Sequence, residues 1–152
     1  MDAVTYPERK VVDFIMEHLV PLRVPSDAEP LSRDFNIKWT PTLVIVDENG
    51  KEHHRTVGFL PPEECIPSLL LGIAKTCFEL DRFQEALKQL DTIISDHPAS
   101  HAAPEAIYLR GVAAYKSTHD PRPLKQAYEQ LQAKYPDGEW TKRALPYRLL
   151  PV

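Results

Sequence analysis

No cysteine pair in this sequence is spaced for dithiol chemistry. The two cysteines, Cys65 and Cys77, make no CxxC, and their number and spacing indicate neither a disulfide framework nor a zinc site. Both fall in an apolar helical pattern, where a free thiol packs as a small hydrophobe. Glycine is scarce, five residues against fifteen prolines, which points to stiff, well-marked element boundaries rather than floppy linkers. No apolar run approaches the roughly 20 residues that cross a bilayer. The longest, Ile66 to Ala74, is broken by Pro67, Ser68 and Gly72. The first residues lack the basic-then-apolar order of a signal peptide. The expectation is a soluble chain, cytoplasmic and without membrane contact.

Basic residues are scattered through a chain of net charge −4, with no run and no aromatic interleaving. Nucleic-acid binding needs a phosphate-neutralising patch, so that class is set aside. Gly-rich phosphate loops and the GxSxG, HExxH and kinase patterns are missing as well. His53-His54 suggests a metal at first sight, but neighbours on a regular strand point to opposite faces and do not chelate one ion together. Asp34, Asp91 and Asp96 read as helix-surface or capping residues, and Glu85 with Lys88 as a solvated i, i+3 pair. No catalytic residue, metal ligand or cofactor is therefore assigned.

What is present is organised in two styles. Pro7 to Leu19 carries Val11, Val12, Phe14, Ile15 and Leu19 at helical spacing. Val20 to Val24 is a short strand candidate, and Asp27 is placed to cap a second helix over residues 28–35. Thr42 to Val46 is continuous, β-branched and uncharged, the pattern of a strand buried on both faces. Asp47-Glu48-Asn49-Gly50 is a tight turn, with Asn-Gly supplying positive-φ residues, and Lys51 to Val57 returns as an antiparallel partner. After Gly58, Pro61-Pro62-Glu63-Glu64 opens a long helix with acidic residues at its positive end. From about Ile66 the pattern is helical: one helix ending near Leu80-Asp81, then helices over about 83–95, 104–116 and 124–134, and a short one from Trp140.

The run Phe35 to Glu52 resembles the thioredoxin family: a helix end, a residue followed by Pro41-Thr42, an apolar strand, and Asn49-Gly50 leading to the last strand. Val57-Gly58-Phe59 and the acidic helix start continue the likeness, which covers about residues 7–75. The resemblance implies a cis peptide bond before Pro41. It also implies that Thr40 and Pro41 line a peptide-reading groove, with Trp39 at its rim. The family's dithiol has no counterpart here. Met1 to Pro7 resembles the stretch downstream of that dithiol, so the resemblance also implies a sheet lacking its central strand. Either the flanking strands near Val20–Val24 and Thr42–Val46 pair directly, or another copy lends a strand and a homodimer forms.

Residues 67–98 resemble a tetratricopeptide repeat. Small Ala74 and Ala86 stand where two helices approach, Asp81 at the inter-helix turn, Phe83 after it, and Pro98 at the end. Residues 106–136 resemble a second, less regular copy, with Gly111 and Leu124 at the small positions.

The fold class expected is thus α/β plus all-α. A partial thioredoxin-like domain over 1–75 is followed by tetratricopeptide-like helical hairpins over 66–152, the long helix serving both. The function expected is a protein- or peptide-binding module without dithiol redox chemistry. The alternative is a thiol-disulfide oxidoreductase whose CxxC segment lies upstream of this sequence.

Overall fold

A computed structural model describes all 152 residues. Its N-terminal half holds α1 (Arg9–His18), α2 (Leu31–Asp34) and the hairpin β1 (Thr42–Val46) and β2 (Glu52–Val57). Five helices follow: α3 (Pro62–Glu79), α4 (Phe83–Asp96), α5 (Ala103–Thr118), α6 (Arg122–Lys134) and α7 (Glu139–Ala144), with a last 3-10 turn over Leu145–Leu149.

The helical half is a stack of hairpins. Neighbours α3 and α4, α4 and α5, and α5 and α6 pack side by side. Small residues permit the approach, since Ala74, Ala86, Ala106 and Ala113 are wholly buried. At Gly111 an added Cβ would lie 2.7 Å from the Ala127 Cβ and 2.9 Å from the Pro123 carbonyl oxygen, so α5 and α6 require glycine there. One core joins Leu70, Leu71, Leu90 and Ile93 across α3, α4 and α5. A second joins Ile107, Tyr128, Leu131 and Ala144 across α5, α6 and α7.

α3 is common to both halves. Its other side meets α1, β1 and β2, where Val11, Cys65 and Leu69 form a third core lined by Phe14, Leu43 and Ile45. At Gly72 an added Cβ would stand 2.6 Å from Ile45 Cγ1, so glycine fixes how closely the helix lies on the hairpin.

Several expectations need correction. Val20–Val24 forms no strand and does not pair with β1. Val20 and Leu22 are 98% and 79% exposed, and a strand requires a partner ladder that β-branched residues alone do not supply. The first helix begins at Arg9 rather than Pro7, and residues 2–7 form turns in which the Met1 carbonyl accepts from the N–H groups of Val4, Thr5 and Tyr6. Asp27 caps nothing, and α2 is one turn beginning after Pro30. β1 is half-buried rather than enclosed on both faces, because only α3 and β2 pack against it. In the turn only Gly50 takes a positive φ, +77°, and Asn49 does not. Glu85 pairs with Arg82 instead of Lys88.

Candidate functional site

The segment 36–41 leaves α2 through Asn36, which takes a left-handed φ of 49°. Its start is held by the Asn36 N–H to the Arg33 carbonyl and the Ile37 N–H to the Ser32 carbonyl, at 2.9 and 2.8 Å. Arg55 of β2 adds a clamp: its Nη2 donates to the Phe35 carbonyl at 2.6 Å, while Glu52 holds the same guanidinium. At the far end the Thr42 hydroxyl donates to the Trp39 carbonyl at 2.6 Å, and the Gly58 N–H donates to the Pro41 carbonyl at 2.8 Å. A loop fixed at both ends thus presents its middle to solvent.

Trp39 is 67% exposed, Thr40 is exposed and Pro41 half-buried. Trp39 and Thr40 line an open cleft of about 380 Å³ with Ser26, Ile37 and Lys38; Pro41 lies outside its lining. The Thr40–Pro41 peptide bond is cis.

The cysteines lie far from this loop in chemical character. Cys65 and Cys77 are free, 0% and 6% exposed, and burial pushes both thiols up. Both sit on α3, twelve residues apart, which at helical rise is about 18 Å, beyond disulfide reach. A reactive thiol needs exposure and a positive surrounding, and neither cysteine has both.

A polar cluster that sequence reasoning missed sits at the other end of the hairpin. The register pairs Ile45 with His54 and Val46 with Glu52, leaving His53 without a cross-strand partner. This bulge brings both imidazoles to the α3 side, against the alternation that a regular strand would impose. His53 has a fully enclosed side chain, with Nε2 2.9 Å from Asp47 Oδ2 and Nδ1 2.9 Å from Glu79 Oε2. Lys51 Nζ donates to the same Glu79 oxygen at 3.0 Å. The hydrogen bond from His53, with the Lys51 and Asn49 N–H groups, holds the Asp47 carboxyl below its ordinary range. Lys51 first, then His53, do the same for Glu79. His54 Nε2 lies 3.4 Å from the Ser68 hydroxyl, and burial, with the Lys75 charge next, pushes its pKa down to about 4. No His, Cys, Asp and Glu grouping in the fold is arranged to hold a metal ion. His53 is sealed from solvent, so the cluster ties the turn to the end of α3 and offers no open base. No residue type marks this bulge in the sequence, because it lies at His53 inside β2 and not at the turn glycine Gly50.

Residues 5–73 match the family model described as a thioredoxin-like domain. This segment is a thioredoxin-like domain. No curated protein and no solved structure matches the chain. The thioredoxin-like domain therefore ends inside α3, within the helix whose other side begins the stack of hairpins. It carries no CxxC, and its one cysteine within the match, Cys65, is buried. No helix is long and apolar enough to cross a membrane.

Proposed function

We propose that the chain is a protein- or peptide-binding module in which the thioredoxin-like domain supplies the recognition loop, through Trp39, Thr40 and Pro41. The observation that carries this reading is the pairing of an anchored, solvent-facing loop with the lack of any accessible thiol. Trp39 offers a large apolar face at low conformational cost, the kind of side chain that anchors interfaces. The open cleft beside it suits an extended segment better than an enclosed small molecule. The helical hairpins, read as two tetratricopeptide-like units over residues 66–152, form the second part of the same module and share α3 with the part over 1–75.

The test uses a 15N-labelled chain titrated with a permanently unfolded, S-carboxymethylated polypeptide. Saturable amide shifts at Ile37, Lys38, Trp39 and Thr40, abolished by Trp39→Ala, are expected. Shifts confined to other residues would overturn the reading. In the insulin-reduction assay with dithiothreitol, the chain and its Cys65→Ser, Cys77→Ser double variant should share the background rate. A faster rate that vanishes in the double variant would make the chain an oxidoreductase instead.

A further inference from the structure

The turn between β1 and β2 carries the one asparagine–glycine junction of the chain, and one residue, Asp47, ties its main chain together. Asp47 Oδ1 accepts from the Asn49 N–H at 2.8 Å and from the Lys51 N–H at 3.0 Å. The Asp47 carbonyl accepts from the Gly50 N–H at 3.0 Å, and the Asp47 N–H donates to the Lys51 carbonyl at 3.0 Å. Asn49 enters this network through its main chain, and its side chain is exposed. The whole arrangement is built from residues 47–51 and is fastened to α3 by Lys51 and Glu79.

An asparagine followed by glycine is a chemically labile pair. The Gly50 nitrogen closes a five-membered ring when it reaches Asn49 Cγ, and glycine puts no side chain in the path. The surroundings are open as well, since a Cβ built on Gly50 meets nothing within 4 Å. Two other junctions give the contrast. Asn36, the only other asparagine, precedes the β-branched Ile37, whose N–H is bonded to the Ser32 carbonyl at 2.8 Å. Asp137 precedes Gly138, where a Cβ would lie 3.1 Å from the Tyr135 carbonyl oxygen.

We infer that the Asn49-Gly50 junction is a site of spontaneous covalent modification in the folded protein, converting Asn49 to aspartyl and isoaspartyl forms at a rate set by how tightly Asp47 holds the turn. Water is the only co-reactant. The Gly50 nitrogen attacks Asn49 Cγ, its proton passing through water to the leaving nitrogen. The N–Cγ bond forms, the Cγ–Nδ2 bond breaks, and ammonia departs. Water then opens the cyclic imide at one of its two carbonyls. Opening at Cγ gives an aspartyl residue. Opening at the main-chain carbonyl gives an isoaspartyl residue, whose main chain runs through the former side chain and is one carbon longer. In the closed turn the Gly50 N–H is held by the Asp47 carbonyl, so attack proceeds from an opened turn. The Asp47 carboxylate, bonded to two N–H groups and kept ionised first by His53, sets how often the turn opens. The longer isoaspartyl main chain no longer fits the bonds to Asp47, and the tie through His53 to Glu79 loosens with them. The inference needs nothing from Trp39 or Thr40 and stands apart from the peptide reading.

Peptide mapping by mass spectrometry, with aspartyl and isoaspartyl forms separated, tests it on the full chain during prolonged incubation at mildly alkaline pH. Conversion is expected at position 49, with the isoaspartyl form in excess, while Asn36 stays intact. The chain unfolded in guanidinium chloride should convert several-fold faster at position 49. Asp47→Ala, checked for folding by circular dichroism, should close most of that gap. If that variant fails to fold, the ratio of native to unfolded rates in the unmodified chain still decides. In partly converted protein the Lys51 amide should exchange faster in the isoaspartyl fraction than in the parent. An Asn49 that stays intact in the folded chain, under conditions that convert it when unfolded, would overturn the inference. Equal rates in the folded and unfolded chain would do the same, as would a folded Asp47→Ala variant that converts no faster than the parent.

Discussion

Gly72 shows how one missing side chain sets a distance. With Ile45 Cγ1 at 2.6 Å and two His54 atoms at 3.1 and 3.2 Å from the position of a Cβ, Gly72→Ala forces α3 away from the hairpin. Overpacking of this kind costs about 1–3 kcal/mol, to be read as a lowered urea midpoint. Gly50 is the contrast: an added Cβ meets nothing, and its φ of +77° is the whole penalty, about 1–2 kcal/mol for an L-residue. The same region makes stability depend on acid. The folded His54 has a pKa pushed down to about 4 from 6.5, first by burial and then by Lys75. Between those values the unfolded chain binds a proton that the folded chain refuses, so stability falls as pH drops through that window. Asp47 and Glu79, held below the ordinary carboxyl range, act in the same direction further into acid. The denaturation midpoint should therefore decline steadily on acidification from neutral pH. His54→Gln should flatten the part of the curve between pH 6.5 and 4 by about 1–2 kcal/mol, a figure reduced for partial exposure. A midpoint constant across that window would show that His54 is free to protonate in the fold. At this scale the sequence offered Trp39, Thr40 and Pro41 through the order of a motif. It did not offer the placement of His53, because alternation of strand faces is a rule that a bulge suspends, and nothing in Glu52-His53-His54 marks a bulge.

The elements were most legible where the pattern was local. β1 was readable to the residue because TLVIV combines β-branching with a turn at its end, and α3 to α6 because proline and small residues punctuate an apolar period. Val20–Val24 departs from its pattern for the opposite reason. Its composition suits a strand, but strand formation is settled by a neighbour, and the chain offers none there. The hairpins depend in turn on small residues that composition marks clearly. Ala86 is wholly buried on the face of α4 that packs into the stack. Replacing it with leucine inserts three carbons into a filled interior and should cost about 1–3 kcal/mol. Lys88→Ala, on the same helix and outside the buried face, should leave the thermal midpoint nearly unchanged. An Ala86→Leu variant as stable as the parent would mean that α3 and α4 are free to separate.

At the scale of the molecule, α3 decides whether the two halves are independent. Residues 1–60 contribute Val11, with Phe14, Leu43 and Ile45 packed beside it, to a core whose other fully buried members, Cys65 and Leu69, belong to α3. Cut before Pro61, that fragment keeps one helix, one short turn of helix and a two-stranded hairpin, and an isolated hairpin is marginal in water. The helical fragment 61–152 keeps every buried member of its own two cores and loses Phe14 from the edge of the first. It uncovers the side of α3 that carries Cys65, Leu69 and Gly72, at about 1.5–3 kcal/mol for a large apolar side chain such as Leu69. The two fragments should thus behave unequally. Residues 61–152 should stay helical by circular dichroism and melt cooperatively below the midpoint of the full chain, while residues 1–60 should show no cooperative transition. This dependence was legible in the sequence, since Gly58 and Pro61-Pro62 lead straight from the strand pattern into one long helix and no flexible linker follows near residues 65–80. A cooperative melt in residues 1–60 would show that the thioredoxin-like half closes its core without α3, and the shared helix would then be a junction rather than a common element.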